Sequence, residues 1–256
     1  MRILLTNDDG IYAPGIKALA RALEGLGELI VAAPDRERSA TGHSITVFHP
    51  IRVDRTNIPE TTARGWIVEG TPADCVKLAI CALLDEPPDL VVSGINRGPN
   101  LGTDVLYSGT VSAAVEGIIL GVPAIAVSLT TYDYDADYSF AASFTRRLCE
   151  EYSRQGLTPD TLLNVNIPPL DEESVAGVKV TKLGVRRYEN VFEERKDPRG
   201  KSYYWLAGDV IDDLEDPDSD VVAIHENKVS ITPIHFDLTN YAIMEDIQRR
   251  LSGMLR

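Results

Sequence analysis

Two adjacent carboxylates follow directly on the first apolar segment of the chain. Asp8 and Asp9 come after the apolar run at residues 3–5, with Asn7 and Gly10 on either side. Neighbouring carboxylates raise each other's cost of ionisation, and a bound divalent cation removes that repulsion. Asn, Asp and Gly are also the usual residues of a polar turn. The pair alone therefore leaves two interpretations open, a metal site and a plain turn.

Three further polar segments each come after a predicted strand. They cover residues 35–44, 93–104 and 107–111. In an open α/β sheet the carboxyl ends of the strands form the edge where ligands bind, so we expect these segments beside the two aspartates. Asp and Asn oxygens suit a hard cation such as Mg²⁺ or Mn²⁺. Together the segments favour a metal site at this edge.

A glycine-rich loop and a predicted helix start offer groups for a phosphate at the same edge. The glycines of residues 94–102 permit turns whose backbone N–H groups can face an anion. Ser108, Gly109 and Thr110 stand where a helix N-terminus attracts the same charge. Such a loop is often only a loop, and Ser108 is equally typical of a helix cap. For His43 a contact with the phosphate or the leaving group stays open.

The composition of the chain limits the classes of partner that it can bind. Its 256 residues carry 25 Lys and Arg against 39 Asp and Glu, a net charge of −14. A surface this acidic repels polyanions, so we expect no binding to nucleic acid polymers. The cysteines at positions 75, 81 and 149 have no CxxC spacing, and we expect reduced core residues. Without an apolar membrane span or a recognisable signal peptide, the sequence predicts a cytoplasmic protein that does not bind membranes.

Strand and helix patterns alternate along the chain to about residue 167. Short continuous apolar runs predict buried strands, and apolar residues at helical spacing predict helices between them. The predicted strands cover residues 3–5, 29–33, 66–70, 88–93 and 124–129. The predicted helices cover residues 14–24, 71–84, 111–120 and 138–155. This alternation predicts an α/β fold with a doubly wound, mostly parallel sheet.

The pattern changes towards the C-terminus. Residues 178–187 and 202–207 resemble strands joined by the polar stretch 188–201, which predicts a long β-hairpin. Further predictions are an acidic loop at 212–220, a returning strand segment at 220–231 and a closing helix at 241–255. We therefore divide the chain into a core at residues 1–170 and an extension at residues 171–256.

Five long motifs are spread over nearly the whole chain. They are LLTNDDG, APDRERSATGHSIT, EGTPADCV, SGINRGPNLGTDVLYSGTVSAAVEG and VSITP. Together they resemble the SurE (survival protein E) family of metal-dependent phosphatases that act on nucleoside monophosphates. The resemblance is specific because several long motifs agree at once. It implies a Rossmann-like catalytic core and a C-terminal β-hairpin extension that takes part in forming a homodimer or homotetramer.

The resemblance also implies a site and a reaction. One divalent ion, Mg²⁺ or Mn²⁺, is held in that family by two adjacent aspartates, a serine and an asparagine. The matching metal ligands here are Asp8, Asp9, Ser39 and Asn96. Of these, Asp8, Asp9 and Asn96 are the catalytic candidates. The candidates for contact with the phosphate are Asn7, Ser39, Gly94, Asn100, Ser108, Gly109 and Thr110. Members of the family differ in preferred nucleotide, in use of 3′ as well as 5′ monophosphates, and in cleavage of short polyphosphate.

Two other classes of protein compete with this prediction. Phosphatases with an aspartyl-phosphate intermediate also place carboxylates after a first strand. Their carboxylates follow a DxD spacing, which the adjacent Asp8 and Asp9 lack. The second class is a non-catalytic nucleotide-binding or regulatory module, because a fold alone does not establish a function. Turnover of a simple aryl phosphate with added Mn²⁺ separates an enzyme from such a module.

Overall fold

A mixed sheet of nine strands forms the centre of the molecule in the computed structural model, which describes residues 1–156, 158, 160–189, 191–252 and 254. The strands are β1 (Arg2–Thr6), β2 (Glu28–Pro34), β3 (Val53–Asn57), β4 (Arg64–Val68), β5 (Leu90–Arg97), β6 (Ala124–Leu129), β7 (Leu162–Ile167), β8 (Val178–Val180), β9 (Arg186–Glu189), β10 (Phe192–Lys196), β11 (Ser202–Leu206), β12 (Asp209–Asp212) and β13 (Val229–Ile234). The helices are α1 (Pro14–Leu23), α2 (Pro72–Leu78), α3 (Gly109–Ile119), α4 (Ser139–Gln155), α5 (Asp220–His225) and α6 (Met244–Leu251).

Helices cover both faces of the sheet and bury its apolar strands. Strand order in the main sheet is β3-β4-β2-β1-β5-β6-β7-β13-β8. Helices α1 and α4 pack against one face through residues such as Ile16, Leu19 and Cys149, and α2 and α3 pack against the other through Val76 and Val111. Burial on both sides explains why β1, β2 and β6 are continuous apolar runs. The predicted Rossmann-like, doubly wound α/β fold is confirmed.

The strand order decides where the site lies. β1 stands between β2 and β5 and runs parallel to both, so the carboxyl ends of these three strands meet at one edge. Asp8 and Asp9 follow β1, and Ser39 lies in the segment after β2. β5 continues past its predicted end at Ser93 through a register shift and includes Asn96. Three segments that are distant in sequence are therefore neighbours at this edge.

The predicted hairpin exists, but its strands differ from the prediction. β10 pairs antiparallel with β11, and β9 with β12, so one long arm leaves and returns through two successive ladders. The polar stretch at 188–201, of which Asn190 lies outside the described residues, contains β10 rather than a loop. β8 pairs with β13 in the main sheet instead. All five residues of β10 are exposed, and a strand without a buried face has no apolar alternation to reveal it.

Residues 220–231 were predicted as a returning strand, and the structure places a helix in their first half. Ser219 caps α5 by accepting a hydrogen bond from Val222 N at 3.2 Å, and β13 begins only at Val229. The β-branched Val221 and Val222 favour a strand locally, but burial of one helix face outweighs that preference here.

Two helical predictions also differ in their extent. The closing helix begins with a 3₁₀ turn at Tyr241–Ile243 and α6 ends at Leu251, while the predicted end at Leu255 lies outside the described residues. The helix predicted at 71–84 ends as α2 at Leu78 and continues as a π-helical turn. This wider turn rotates the following side chains, and Cys81 is exposed rather than buried as predicted. The prediction of a buried cysteine holds at positions 75 and 149.

Candidate functional site

The carboxylate of Asp8 is buried after β1 and is held by the start of α3. The hydroxyl of Thr110 donates a hydrogen bond to Asp8 Oδ1. A side-chain carbon added to Gly109 would stand 2.8 Å from Asp8 Cβ, so glycine permits the close approach of the helix. Burial raises the pKa of Asp8 to about 6, against the lowering by the Thr110 hydrogen bond and with the help of the Asp9 charge.

Asp9 is partly buried and meets the carboxyl end of β5. The backbone N–H of Arg97 donates a hydrogen bond to Asp9 Oδ2 at 3.1 Å. Burial raises the pKa of Asp9, while that N–H group and the Arg97 charge lower it. The Asp8 carboxylate is therefore shielded from bulk water, the Asp9 carboxylate is partly shielded, and the two charges act on each other. A divalent cation between them would stabilise their ionised forms.

Some buried polar atoms near the end of β1 have no hydrogen-bond partner among the described residues. Asn7 donates from Nδ2 to Gly10 O at 2.9 Å, but its buried Oδ1 has no partner in the described part of the chain. The same holds for the hydroxyls of Thr6 and Ser93, which face each other in the register of β1 and β5. Buried polar atoms are normally satisfied, so unpaired oxygens beside two carboxylates fit a hydrated hard cation. The donor chemistry therefore agrees with the expected metal.

The segment after β2 is attached to the same edge. Arg38 N donates to Asp8 O at 2.7 Å, and Gly42 N donates to Tyr107 O at 3.0 Å. Ser39 is exposed, and its hydroxyl donates to Glu37 Oε1 at 2.7 Å. The structure thus places Ser39 next to the residue that contacts Asp8, with its hydroxyl in a local hydrogen bond.

The asparagines of the glycine-rich loop differ in their surroundings. Asn96 is half-buried and donates from Nδ2 to Gly98 O at 2.8 Å, which leaves its oxygen as the group able to bind a cation. Asn100 is buried, and its Nδ2 donates to Ser128 Oγ at 2.7 Å. Side-chain amides from β7 hold its backbone: Asn166 Oδ1 accepts from Asn100 N, and Asn164 and Asn166 both donate to Asn100 O. These hydrogen bonds from β6 and β7 thus fix the loop at Asn100.

The start of α3 presents backbone donors to the site. Ser108 is the helix cap and accepts a hydrogen bond from Val111 N at 3.0 Å. The first N–H groups of a helix have no partner within the helix, so those of Gly109 and Thr110 are suited to an anion. Gly94 lies deeper, where a side-chain carbon would stand 2.4 Å from Val127 O. Its close packing positions the loop that follows.

The sequence does not predict one cluster on the two helices that begin at this edge. Glu116, on α3, is buried and accepts hydrogen bonds from His43 Nε2 at 2.8 Å and from Lys77 Nζ at 2.7 Å. Burial raises the pKa of Glu116, but its two basic partners outweigh that effect and lower it overall. His43 therefore pairs with a carboxylate of α3, and Glu116 joins the segment after β2 to α2 and α3. Sequence spacing gives no signal for it because the partners come from separate segments.

Comparison with known proteins identifies the family. A family model described as survival protein SurE matches residues 3–190. The chain belongs to the SurE family. The 5′-nucleotidase SurE of Heliobacterium modesticaldum is 59% identical over 99% of this chain and 93% of that protein. The 5′-nucleotidase SurE of Carboxydothermus hydrogenoformans is 57% identical over 100% of this chain and 99% of that protein. The likeness to these SurE proteins therefore includes the C-terminal extension.

A solved structure agrees with the fold. The crystal structure of SurE protein from Aquifex aeolicus matches with a TM-score of 0.85 at 43% identity and covers 98% of this chain and 99% of that one. The metal ligands expected here include few of the usual metal-binding residue types. In the described residues of this SurE chain, no group of three or more His, Cys, Asp or Glu side chains is arranged to hold a metal. The expected ligand set contains only two such residues and is completed by Ser and Asn.

No helix among the described residues is long and apolar enough to cross a bilayer.

Proposed function

We propose that this protein is a divalent-metal-dependent 5′-nucleotidase, which hydrolyses nucleoside monophosphates to nucleoside and phosphate. The observation that carries the proposal is the adjacent carboxylates of Asp8, which is buried, and Asp9, which is partly buried, at the carboxyl end of β1 beside the N-terminus of α3. Membership of the SurE family supports it, since the relatives bear the name 5′-nucleotidase SurE. A non-catalytic binding module has no observation in its favour.

The cation site is formed by residues from three segments. Asp8 and Asp9 supply carboxylates, Asn96 supplies an amide oxygen and Ser39 a hydroxyl, and this all-oxygen set favours one Mg²⁺ or Mn²⁺ per subunit. Thr110 orients the Asp8 carboxylate through its hydrogen bond. When bound, the cation supplies Lewis-acid stabilisation of the charge that develops on the phosphoryl oxygens.

The protein itself provides the remaining chemistry. One carboxylate of the aspartate pair accepts the proton of the attacking water, with Asp9 the less buried of the two. The N–H groups of Gly109 and Thr110 stabilise negative charge on the phosphoryl oxygens. Asn7 and the loop from Gly94 to Asn100 complete the walls of the phosphate pocket.

We also propose that the protein assembles as a homodimer or homotetramer through the arm. β10 and β11 form a two-stranded sheet with all ten residues exposed, including Phe192, Tyr204 and Trp205. A lone hairpin of this kind is marginal in water, and large aromatics are enriched where subunits meet. α6 adds a further exposed apolar face with Met244, Ile247 and others. A second copy of the chain would bury these surfaces.

The function is tested by measuring phosphate release from a panel of nucleoside 5′- and 3′-monophosphates and short polyphosphate under several divalent cations. We expect turnover of 5′-monophosphates that stops on chelation and returns with Mg²⁺ or Mn²⁺. Turnover of p-nitrophenyl phosphate with Mn²⁺ would separate catalysis from mere binding. Absence of turnover for every phosphomonoester in the panel would contradict the proposed function.

Asp9→Asn is expected to remove most of the activity without unfolding the protein. The substitution keeps the side-chain shape but removes one charged ligand, which weakens a hard-cation site. Phosphate release and circular dichroism measure the two effects. Asp54→Asn, on the exposed edge strand β3, is the matched control and should retain parental activity. Full activity of Asp9→Asn would contradict the metal assignment.

A further inference from the structure

Arg97 is a cation at the acidic edge of the sheet to which the metal chemistry assigns no task. It is the last residue of β5, directly after Asn96, and its backbone N–H binds Asp9. Its side chain is only 17% exposed and its charge acts on Asp9, so the guanidinium stands near the carboxylate pair rather than in bulk water. The position brings a positive charge next to the carboxylate pair.

Aromatic side chains hold this guanidinium in place. The Arg97 guanidinium carbon lies 3.7 Å from the ring centre of Tyr134, as in a cation–π stack. A side-chain carbon on Gly98 would stand 2.6 Å from the Tyr132 ring, so the glycine lets Tyr132 rest on the loop beside Arg97. Both tyrosines follow β6 and are themselves exposed. The plane of the guanidinium is thus fixed by a ring rather than by a carboxylate.

The hydrogen-bonding capacity of Arg97 is less occupied than that of comparable arginines. Its Nη2 lies 3.9 Å from Glu37 Oε2, which is longer than a hydrogen bond. By contrast, Arg38 contacts Asp35 at 3.0 Å, and Arg186 contacts Asp104 at 3.0 Å and Asp212 at 2.8 Å. A guanidinium carries five donors, and its fork matches the oxygens of a phosphate. Arg97 therefore presents both a positive charge and hydrogen-bond donors beside the carboxylate pair.

We propose that Arg97 binds the phosphoryl group of the substrate through its guanidinium, with Tyr134 as the positioning residue that fixes its plane. This inference rests on the proposed function for its substrate, a phosphomonoester dianion. In a protein of net charge −14, a fixed cation beside the acidic pair offsets the repulsion that an incoming dianion meets. The Tyr134 ring carries no charge and Glu37 stands at 3.9 Å, so donors of the Arg97 guanidinium remain available to the phosphoryl oxygens.

The test compares Arg97→Met with the parent protein. We expect the KM for AMP and the inhibition constant of orthophosphate to rise together by about tenfold or more, while kcat changes less, because a ground-state contact is lost. Arg97→Lys keeps the charge without the fork and should lie between parent and Arg97→Met. Tyr134→Leu should raise both constants by a smaller factor and leave kcat near that of the parent.

Arg36→Met is the matched control. Arg36 lies in the segment after β2 with its side chain 70% exposed, and its Nε stands 3.8 Å from Asp35 Oδ2. Its loss should leave both constants within about twofold of the parent. Equal effects of Arg36→Met and Arg97→Met would overturn the contact in favour of a general field effect. A raised KM for AMP with an unchanged orthophosphate constant would also overturn it, since Arg97 would then touch the nucleoside.

Calorimetric titration with orthophosphate in Mg²⁺ keeps this inference separate from the proposed function. Weaker binding to Arg97→Met than to the parent supports the inference even if no nucleotide is hydrolysed. Equal binding overturns it even if the parent is an active nucleotidase. Thermal unfolding of each variant shows whether the fold is retained.

Discussion

At the scale of single residues, the hydroxyl of Thr110 orients the Asp8 carboxylate by donating a hydrogen bond to it. Thr110→Val keeps the shape of the side chain but removes the donor to a buried carboxylate. Partners that orient a metal ligand typically change metal affinity by about tenfold to hundredfold when lost. We therefore expect Mg²⁺ to bind Thr110→Val at least about tenfold more weakly in a calorimetric titration.

A buried threonine far from the site provides the control for this prediction. Thr145 on α4 is equally buried, and its hydroxyl donates to Ala141 O at 2.7 Å. Thr145→Val should leave the affinity for Mg²⁺ unchanged even if it lowers the melting temperature. Parental affinity in Thr110→Val would show that the hydroxyl does not prepare Asp8 for a cation.

Glu116 predicts a pH dependence of stability. Its pKa in the folded protein lies below the ordinary value of 4.5, because His43 and Lys77 outweigh its burial. A lowered pKa in the folded state stabilises above the unfolded value and loses that contribution as pH falls through the folded value. We expect Glu116→Gln to lower the free energy of unfolding by about 1–2 kcal/mol near pH 7, after allowance for its half-exposed partners, and by less at acid pH.

Denaturant unfolding at a series of pH values measures this difference. Glu150→Gln breaks the more exposed pair with Arg146 on α4 and should lower stability by less than about 1 kcal/mol. A difference between parent and Glu116→Gln that grows towards acid pH would contradict the prediction.

The sequence predicts part of the site and misses another part for a physical reason. Asp8, Asp9 and Asn96 are expected on one edge because each follows or ends an apolar strand, and parallel strands share that edge. The stack of Arg97 on Tyr134 joins the last residue of β5 to the loop after β6. No spacing rule links these two segments, because their contact depends on where the tertiary structure places them.

At the scale of elements, α5 ties the end of the glycine-rich loop at Gly102 to the base of the arm at Gly184. Asp220 is fully buried and accepts hydrogen bonds from Gly102 N and Gly184 N, each at 2.8 Å. Asp220→Ala leaves these backbone donors without a partner, at about 1–3 kcal/mol for each unsatisfied group. We expect a loss of stability of about 3 kcal/mol and faster amide exchange at both glycines.

An exposed aspartate of the same region is the control. Asp218 lies 3.4 Å from Lys179 with its side chain 72% exposed. Asp218→Ala should change stability by less than about 0.5 kcal/mol. Unchanged exchange at Gly102 and Gly184 in Asp220→Ala would show that α5 does not fix these loops.

Strands that are buried on both faces are predictable from sequence, whereas exposed elements are predictable only in part: β11 and α6 lie where a strand and a helix are predicted, and β10 does not. β1, β2 and β6 are continuous apolar runs, and the structure has strands at these positions. β3 has mostly exposed residues, and β10 has only exposed ones, so neither shows apolar periodicity. The helix α5 begins after its cap at Ser219 and has only six residues. A local pattern of six residues does not distinguish so short a helix from a strand. For the central strands, burial on both faces rather than intrinsic propensity makes the element recognisable in the sequence.

At the scale of the whole molecule, the arm predicts the state of assembly. The backbone N–H of Ala207 donates to Val191 O at 2.8 Å, so the two strands of the arm already meet at the base of the outer ladder formed by β10 and β11. Replacing residues 192–206 with a short Gly/Ser linker should therefore leave the core intact and remove the exposed aromatics. We expect the parent to be a homodimer or larger and the shortened variant to be smaller, as measured by light scattering coupled to size exclusion.

A substitution at the tip of the arm separates assembly from general damage. Arg199→Ser alters the exposed turn between β10 and β11 without touching the aromatics and should keep the parental mass. A parent protein that is monomeric at micromolar concentration, or a shortened variant of unchanged assembly, would exclude the arm as the contact between subunits.

The amide network around Asn100 has a consequence for the thermodynamics of binding. Side chains of β6 and β7 hold this loop residue by its backbone and its side chain. The loop is thus ordered before a ligand arrives, and little conformational entropy remains to be lost on binding. Variants that open the network should bind phosphate with a more unfavourable entropy, even where every group that touches the ligand is unchanged.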